Sequence, residues 1–424
     1  MPMTTVNVEL DFHSAGQGLF ATGELFLVPA NKRAVFRWVY DCGSSAGRKD
    51  ALKGSIDDYA NRLDRDGEDV IDLVVISHFD RDHVNGLIDL LDRVRIRTLL
   101  LPLLSISTRI AVLLAEGDDA DSNLASLLFE PASFLASNSR DGRGVAQIVL
   151  IPPSSGSSEG DPAGFDGGGA PSDDGVTYPI DPRSSEIIAA NGLESNAEIE
   201  MRVAAERGVI RVMNCWEFVP YNDASVPSLE PGLSSQIELT AEKFKSTTDK
   251  QVRASLLIEL KKIYENTYPT GEMRNRISLF VYGGPTSTWL KVNRFRETIV
   301  EQRSYSYSEI RRYTELALAC GSDAVIYTGD GYLDTMESIR SLREYFGAHR
   351  MDRLCVFQVM HHGSKNNWFP GLADELSPAV SVFSSDPSHH HGHPHAEVLR
   401  DFWEFNSLQV DRKRCVKVFL YFEH

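Results

Sequence analysis

Four residues that bind divalent cations stand almost side by side in this sequence: His78, Asp80, Asp82 and His83. They follow directly on the apolar run Leu73 to Ile76, and Gly86 closes the stretch. An apolar core has no use for two imidazoles and two carboxylates in one short loop. Imidazole nitrogen and carboxylate oxygen are donors for zinc, manganese and iron. The chemistry this spacing offers is metal binding, and with it activation of water for hydrolysis.

Two further apolar runs end in the same kind of residue. DAVIY at 323–327 leads into Thr328-Gly329-Asp330, and LCVFQVM at 354–360 leads into His361-His362-Gly363-Ser364. A later segment, Ser388 to His395, carries His393 and His395 after three consecutive histidines, His389 to His391, which read as incidental. Strands that each deliver such a residue at their end specify an active site at a sheet edge. His13 reads as structural, and Trp216, Phe218 and Tyr221 as core or loop anchors.

Positioning these residues takes an α/β framework. Residues 5–12, 19–29 and 33–41 are rich in strand formers. Residues 51–66 place Leu52, Ile56, Tyr59 and Leu63 at helical spacing. A short helix at 84–94 and a strand at 96–103 continue the strand–helix–strand rhythm. Beyond it, 105–146 reads as helical and irregular, 185–206 and 305–319 as helical, 208–219 as paired strands and 276–283 as a strand. Residues 335–349 and 396–406 read as helices, 379–384 and 415–422 as strands. The Gly-, Ser-, Pro- and Asp-rich segment 153–184 reads as a mobile loop. Residues 236–266 carry helical periodicity with many charges, the pattern of an inserted helical arm. No internal repeat is evident.

The chain has 424 residues, 42% of them hydrophobic, enough for a large core in one domain with insertions or in two. Its net charge of −17 argues against a surface built for non-specific nucleic-acid binding. Nucleic acid remains open as a substrate, because bound cations or a local basic cleft offset an acidic surface. The five cysteines are far apart with no C-x-x-C pair, so neither a disulfide framework nor a zinc ribbon is expected, and a reducing, cytoplasmic setting is. The first residues lack a signal-peptide pattern, and no 18-residue apolar run exists, so no membrane association is expected.

The motifs resemble a known family. His-x-Asp-x-Asp-His at 78–83 is similar to the H-x-H-x-D-H signature of the metallo-β-lactamase fold, with Asp80 in place of the second histidine. More closely, the chain resembles the soluble hydrolase domain of ComEC-type DNA-uptake proteins and its freestanding relatives. Gly16-Gln17-Gly18, Asp41-Cys42-Gly43, Ser77 to Gly86, Asn275 to Ser278, Thr328-Gly329-Asp330, His361 to Ser364 and Gly392 to His395 follow in that group's order. The resemblance covers 5–104 and 208–424.

It implies an α/β (α+β) fold, a metallo-β-lactamase-like four-layer αββα sandwich with inserted helical and loop segments. Residues 1–104 and 208–424 would be its halves, 105–207 an insertion with the loop 153–184, and 236–270 a helical arm. By position, His78 and Asp80 would hold one metal ion, and Asp82 and His83 the other. Asp330 would bridge them, and His362 or its neighbour His361 would complete the second site. Asp80 in place of histidine makes the first site harder, favouring manganese or magnesium over zinc. Asp82 would also orient the attacking water. His393 or His395 would be a later ligand or a proton donor to the leaving group. Ser364, Lys365, Asn366 or Asn367 would contact a phosphate, and Asp41 would accept a hydrogen bond from a ligating histidine.

The expected function is metal-dependent hydrolysis of a phosphodiester by two divalent ions, with DNA or RNA as the substrate that the resemblance supplies. The alternatives are hydrolysis of a small ester, lactone, nucleotide or β-lactam, and an effector subunit recruiting a protein partner through 236–270.

Overall fold

The runs rich in β-branched residues form strands. Along the chain they are β1 (Thr5–Phe12), β2 (Phe20–Val28), β3 (Phe36–Cys42), β4 (Val70–Val75), β5 (Arg95–Pro102), β6 (Val145–Ile151) and β7 (Val176–Thr177). Then come β8 (Glu200–Val203), β9 (Ile210–Val212), β10 (Trp216–Asn222), β11 (Leu279–Pro285), β12 (Lys291–Val292), β13 (Glu297–Gln302) and β14 (Arg311–Tyr313). The last are β15 (Ala324–Tyr327), β16 (Leu354–Gln358), β17 (Val380–Ser384), β18 (Ser407–Val410) and β19 (Arg414–Glu423). The computed structural model describes residues 5–28, 34–45, 49–115, 122–154, 175–223, 278–286, 291–292, 297–302, 311–313 and 323–423, with scattered positions between 239 and 259.

Among the described residues these strands make two mixed sheets. The first, of eleven strands, runs β14-β13-β19-β1-β2-β3-β4-β5-β6-β8, with β12 also paired to β19. The second, of eight, runs β18-β17-β16-β15-β11-β10-β9-β7. Neighbouring side chains of a strand face opposite ways, so each sheet offers two apolar faces. On one face of the first sheet, Val39, Val74, Leu99 and Ile148 pack with Leu52, Ile56 and Leu63 of helix Lys49–Arg65. Its other face, with Trp38, Leu73 and Val75, meets Trp216, Phe218, Val281 and Tyr327 of the second sheet. The far face of the second sheet, with Tyr282, Ile326 and Phe357, is covered by Ile339, Leu342 and Phe346 of helix Met336–Phe346. That helix begins in a capping box between Thr335 and Ser338.

Two expectations need correction. In the expected helix 305–319, Arg311–Tyr313 instead form β14, antiparallel to β13 at the edge of the first sheet; the rest lies outside the described residues. In 185–206 only Ser184–Ala190 is helical, and Glu200–Val203 joins the first sheet as β8, parallel to β6. The expected helical and irregular stretch 105–146 holds three helices, Ile106–Ala115, Ser122–Phe129 and Pro131–Ser137, before β6 starts at Val145. Segments as short as Arg311–Tyr313 and Glu200–Val203 carry too few residues to show a period, and partners distant in sequence decide. Residues 155–174 of the expected mobile loop, Asn275 to Ile277, and most of the expected arm at 236–270 lie outside the described residues.

Among the described residues no helix is long and apolar enough to cross a membrane. Cys42, Cys215, Cys355 and Cys415 are buried.

Candidate metal centre

Parallel strands of both sheets deliver the site. β3 and β4 run parallel in the first sheet, and β15, β16 and β17 in the second. Asp41 lies at the end of β3. Ser77 and His78 follow β4, and Asp80 immediately precedes the short helix Arg81–Val84 that carries Asp82 and His83. Asp330 follows β15, and His361 and His362 follow β16. The turn after β16 is strained: His361 has φ 44° and ψ 49°, and His362 has φ 57° and ψ 17°. Consecutive non-glycine residues in the left-handed region cost about 1–3 kcal/mol each. That backbone brings both rings to Asp330.

Asp330 stands at the middle. Its Oδ1 lies 3.0 Å from His83 Nε2 and 3.8 Å from His362 Nε2. Its Oδ2 lies 3.5 Å from His361 Nε2 and 3.9 Å from His78 Nε2. Asp82 Oδ2 adds a contact of 3.3 Å to His362 Nε2, and Asp80 Oδ2 one of 3.8 Å to His78 Nε2. One oxygen thus faces His83 and His362 with Asp82, the other His78 and His361 with Asp80. The His78, His83, His362 and Asp330 side chains are buried, whereas those of Asp80, Asp82 and His361 are 17%, 24% and 25% exposed. The cluster therefore opens to solvent on that side.

The outer nitrogens fix the tautomers. His83 Nδ1 donates to Asp41 Oδ2 at 2.7 Å, and His362 Nδ1 to the Ser384 carbonyl at 2.6 Å. His361 Nδ1 donates to Asn367 Oδ1 at 2.7 Å; the Asn367 amide nitrogen donates to the Asp330 carbonyl, which settles its orientation. Ser77 Oγ donates to Asp41 Oδ2 at 2.7 Å, so it accepts from His78 Nδ1 at 2.8 Å. All four rings are therefore protonated outward, and a neutral ring then aims an Nε2 lone pair at an acidic carboxylate. His83 Nε2, when that ring is charged, is ion-paired with Asp330 Oδ1 at 3.0 Å, whereas His78 Nε2 is buried and makes no hydrogen bond. Buried polar atoms left this way are costly. A tetrahedral ion with bonds of about 2.0–2.1 Å holds its donors about 3.3 Å apart. The spacings here fit that demand, and outer acceptors of this kind orient metal-binding imidazoles.

Metal-free, the centre is electrostatically divided. Burial, followed by the charge of His83, pushes His78 down to about 4. Burial opposes charge on His83 too, but Asp330 and Asp41 outweigh it and hold that imidazole well above its usual range. His362 is raised as well, because Asp330 and Asp82 outweigh its burial. Burial pushes Asp330 and Asp82 up, yet the surrounding histidines hold both carboxyls below the usual range.

Of the later histidines, His393 is buried and stacks on His362 with ring centroids 6.2 Å apart. Gln17 Nε2 donates to His393 Nδ1 at 3.2 Å, while Gln17 Oε1 accepts from the Asp386 backbone amide at 3.2 Å. The proton of a neutral His393 therefore sits on Nε2. Burial and the neighbouring histidines push its pKa down to about 3, so it is neutral at pH 7. His395 Nδ1 instead accepts from the Lys365 backbone amide at 3.2 Å. Ser364 is buried, and its hydroxyl accepts from the Asn366 amide at 3.3 Å. Lys365 and Asn366 are exposed beside the cluster, while Asn367 is buried and holds His361. His13 lies apart, against Thr22 and Phe20.

Gln17, Ser77, Asn367 as an orienting group and the Ser384 carbonyl escaped the sequence reading. Gln17 and Ser77 stand inside motifs that were visible; a backbone carbonyl has no sequence signal. The loop also depends on Gly43, where an added Cβ would lie 2.3 Å from the Asp82 and His83 backbone.

No protein-family model matches this chain, and no curated protein matches it.

Proposed function

We propose that this protein is a metal-dependent hydrolase acting on phosphodiesters, with DNA or RNA as substrate. The observation that carries the reading is the set of four outward-protonated imidazoles converging on the two oxygens of Asp330. On this reading the two sheets with their helices are the four-layer αββα arrangement of the metallo-β-lactamase fold. His78, Asp80 and His361 with Asp330 Oδ2 would hold one ion, and Asp82, His83 and His362 with Asp330 Oδ1 the other. Divalent ions there supply activation of water and neutralisation of charge on the phosphate oxygens.

The chain's own residues do the rest. Asp41 keeps His83 in its ligating tautomer and, through Ser77, His78 as well. Asp82, ionised and partly open to solvent, orients the attacking water. His393, neutral with its proton on Nε2, offers the leaving oxygen a hydrogen bond rather than a proton. Lys365 places a cation at the exposed rim for the phosphate. The phosphodiester class rests on the order of the motifs and their resemblance to the ComEC-type domain.

Labelled single-stranded DNA, duplex DNA and RNA, each incubated with manganese or zinc, test this. Cleavage that disappears in Asp330→Ala supports it. Intact nucleic acids under every condition, with Asp330-dependent turnover of a small ester or lactone, would exclude the phosphodiester reading.

A further inference from the structure

We propose that the turn His389 to His391 is a separate divalent-ion site, built from imidazoles alone and selective for zinc, nickel or copper over manganese or magnesium. Adjacent side chains of an extended chain point to opposite faces. Here the turn gathers three consecutive rings together. Their centroids are 4.2 Å apart for His389 and His390, 3.9 Å for His390 and His391, and 4.8 Å for His389 and His391. One ring nitrogen of each lies within 4.8 Å of the others.

The turn's backbone is held mostly by groups other than the rings, although His389 Nε2 also lies 3.5 Å from Ser45 Oγ. Asp386 Oδ1 accepts from the Ser388 amide at 3.0 Å and from its hydroxyl at 2.7 Å, and Arg412 Nε lies 2.7 Å from Asp386 Oδ2. The His389 amide donates to the Asp386 carbonyl, and the Gly392 amide to the His389 carbonyl. Packing accounts for only part of the gathering: His389 is half-buried and His391 stacks on His393, but His390 and His391 are exposed. Holding exposed side chains in one place costs rotamer freedom, and a shared cation offsets that cost.

The donor set determines the ion. It contains no carboxylate, whereas the cluster at Asp330 has three. Imidazole alone suits zinc, nickel and copper, and manganese stands lowest in affinity for such nitrogen sites. The turn is distinct from the Asp330 cluster but adjoins it: the His391 ring stacks on His393 at 5.6 Å, and His393 stacks on His362. This inference does not depend on the hydrolytic reading.

Calorimetric titration of metal-stripped full-length protein with zinc, and separately with manganese, tests it. The His390→Ala/His391→Ala variant should bind about one zinc fewer per chain than the wild type, with manganese binding unchanged. In an Asp330→Ala background the turn should still take its zinc, which keeps this test separate from any failure of the central reading. Each single variant, His389→Ala included, should weaken that zinc about tenfold or more, as loss of one member of a shared site does. Equal zinc stoichiometry in wild type and double variant would overturn the proposal. So would three small, independent losses from the single variants, or an equal loss of manganese in the double variant, which would make the turn part of the centre.

Discussion

A histidine has two ring nitrogens, and at this centre the outer one decides what the inner one does. Asp41, Asn367, Ser384 and Ser77 each take an Nδ1 proton, and the Nε2 atoms turn inward. His393 is reversed: Gln17 donates to its Nδ1 and leaves the proton on Nε2. This makes Gln17 a positioning residue with a specific signature. Gln17→Leu should lower kcat on an oligonucleotide about 10–100-fold, because His393 then loses its fixed tautomer. On a nitrophenyl phosphodiester, whose leaving group needs no proton, kcat should hold, and metal content should not change. An equal loss on both substrates would take from His393 the role of hydrogen-bond donor to the leaving oxygen. The inner residues were readable from sequence because they are adjacent: His78 to His83, and His361 with His362. The acceptors behind them are chosen by the folded chain, so Asn367 and the Ser384 carbonyl had no pattern to betray them.

At the scale of elements, the site is a set of strand ends held together by tight turns. Gly43, just past β3, touches the backbone of Asp82 and His83, so Gly43→Ala must displace the loop that carries both. It should destabilise the protein by about 1–3 kcal/mol and weaken metal binding. Gly54, within helix Lys49–Arg65, has nothing within 4 Å of an added Cβ. Gly54→Ala should therefore stabilise by about 0.5–1 kcal/mol without touching metal affinity. Denaturant midpoints read both effects; a neutral Gly43→Ala would mean that the close approach does not hold the loop. The strands feeding the site were legible because each is a buried apolar run ending in a polar residue. β8 and β14 were not, because their strand character comes from pairing with β6 and β13 rather than from their own patterns.

For the whole molecule, the centre links metal, protons and stability. In the metal-free protein His83 and His362 have raised pKa values. Their stabilisation is fully present below the ordinary histidine value of about 6.5 and is lost as pH rises through the raised values. Asp330 and Asp82 are held low, so theirs is fully present above the ordinary carboxyl range and lost as pH falls from there through their lowered values. Metal must displace the protons on His83 and His362, and binding strengthens as pH rises. The gap in Tm between manganese-loaded and metal-free protein should therefore widen from pH 6 to pH 8; a constant gap would contradict this. The α/β class followed from the strand–helix rhythm of the sequence, whereas the pairing of β1 with β19 inside the first sheet joins segments too distant for any local pattern. The most direct test of the central claim is the metal content of protein dialysed against manganese, for wild type and Asp330→Ala. The account predicts about two ions per chain in the wild type and loss of both in the variant, with the fold intact by circular dichroism. A wild type that holds no ion, or an Asp330→Ala protein that keeps as many, would contradict it.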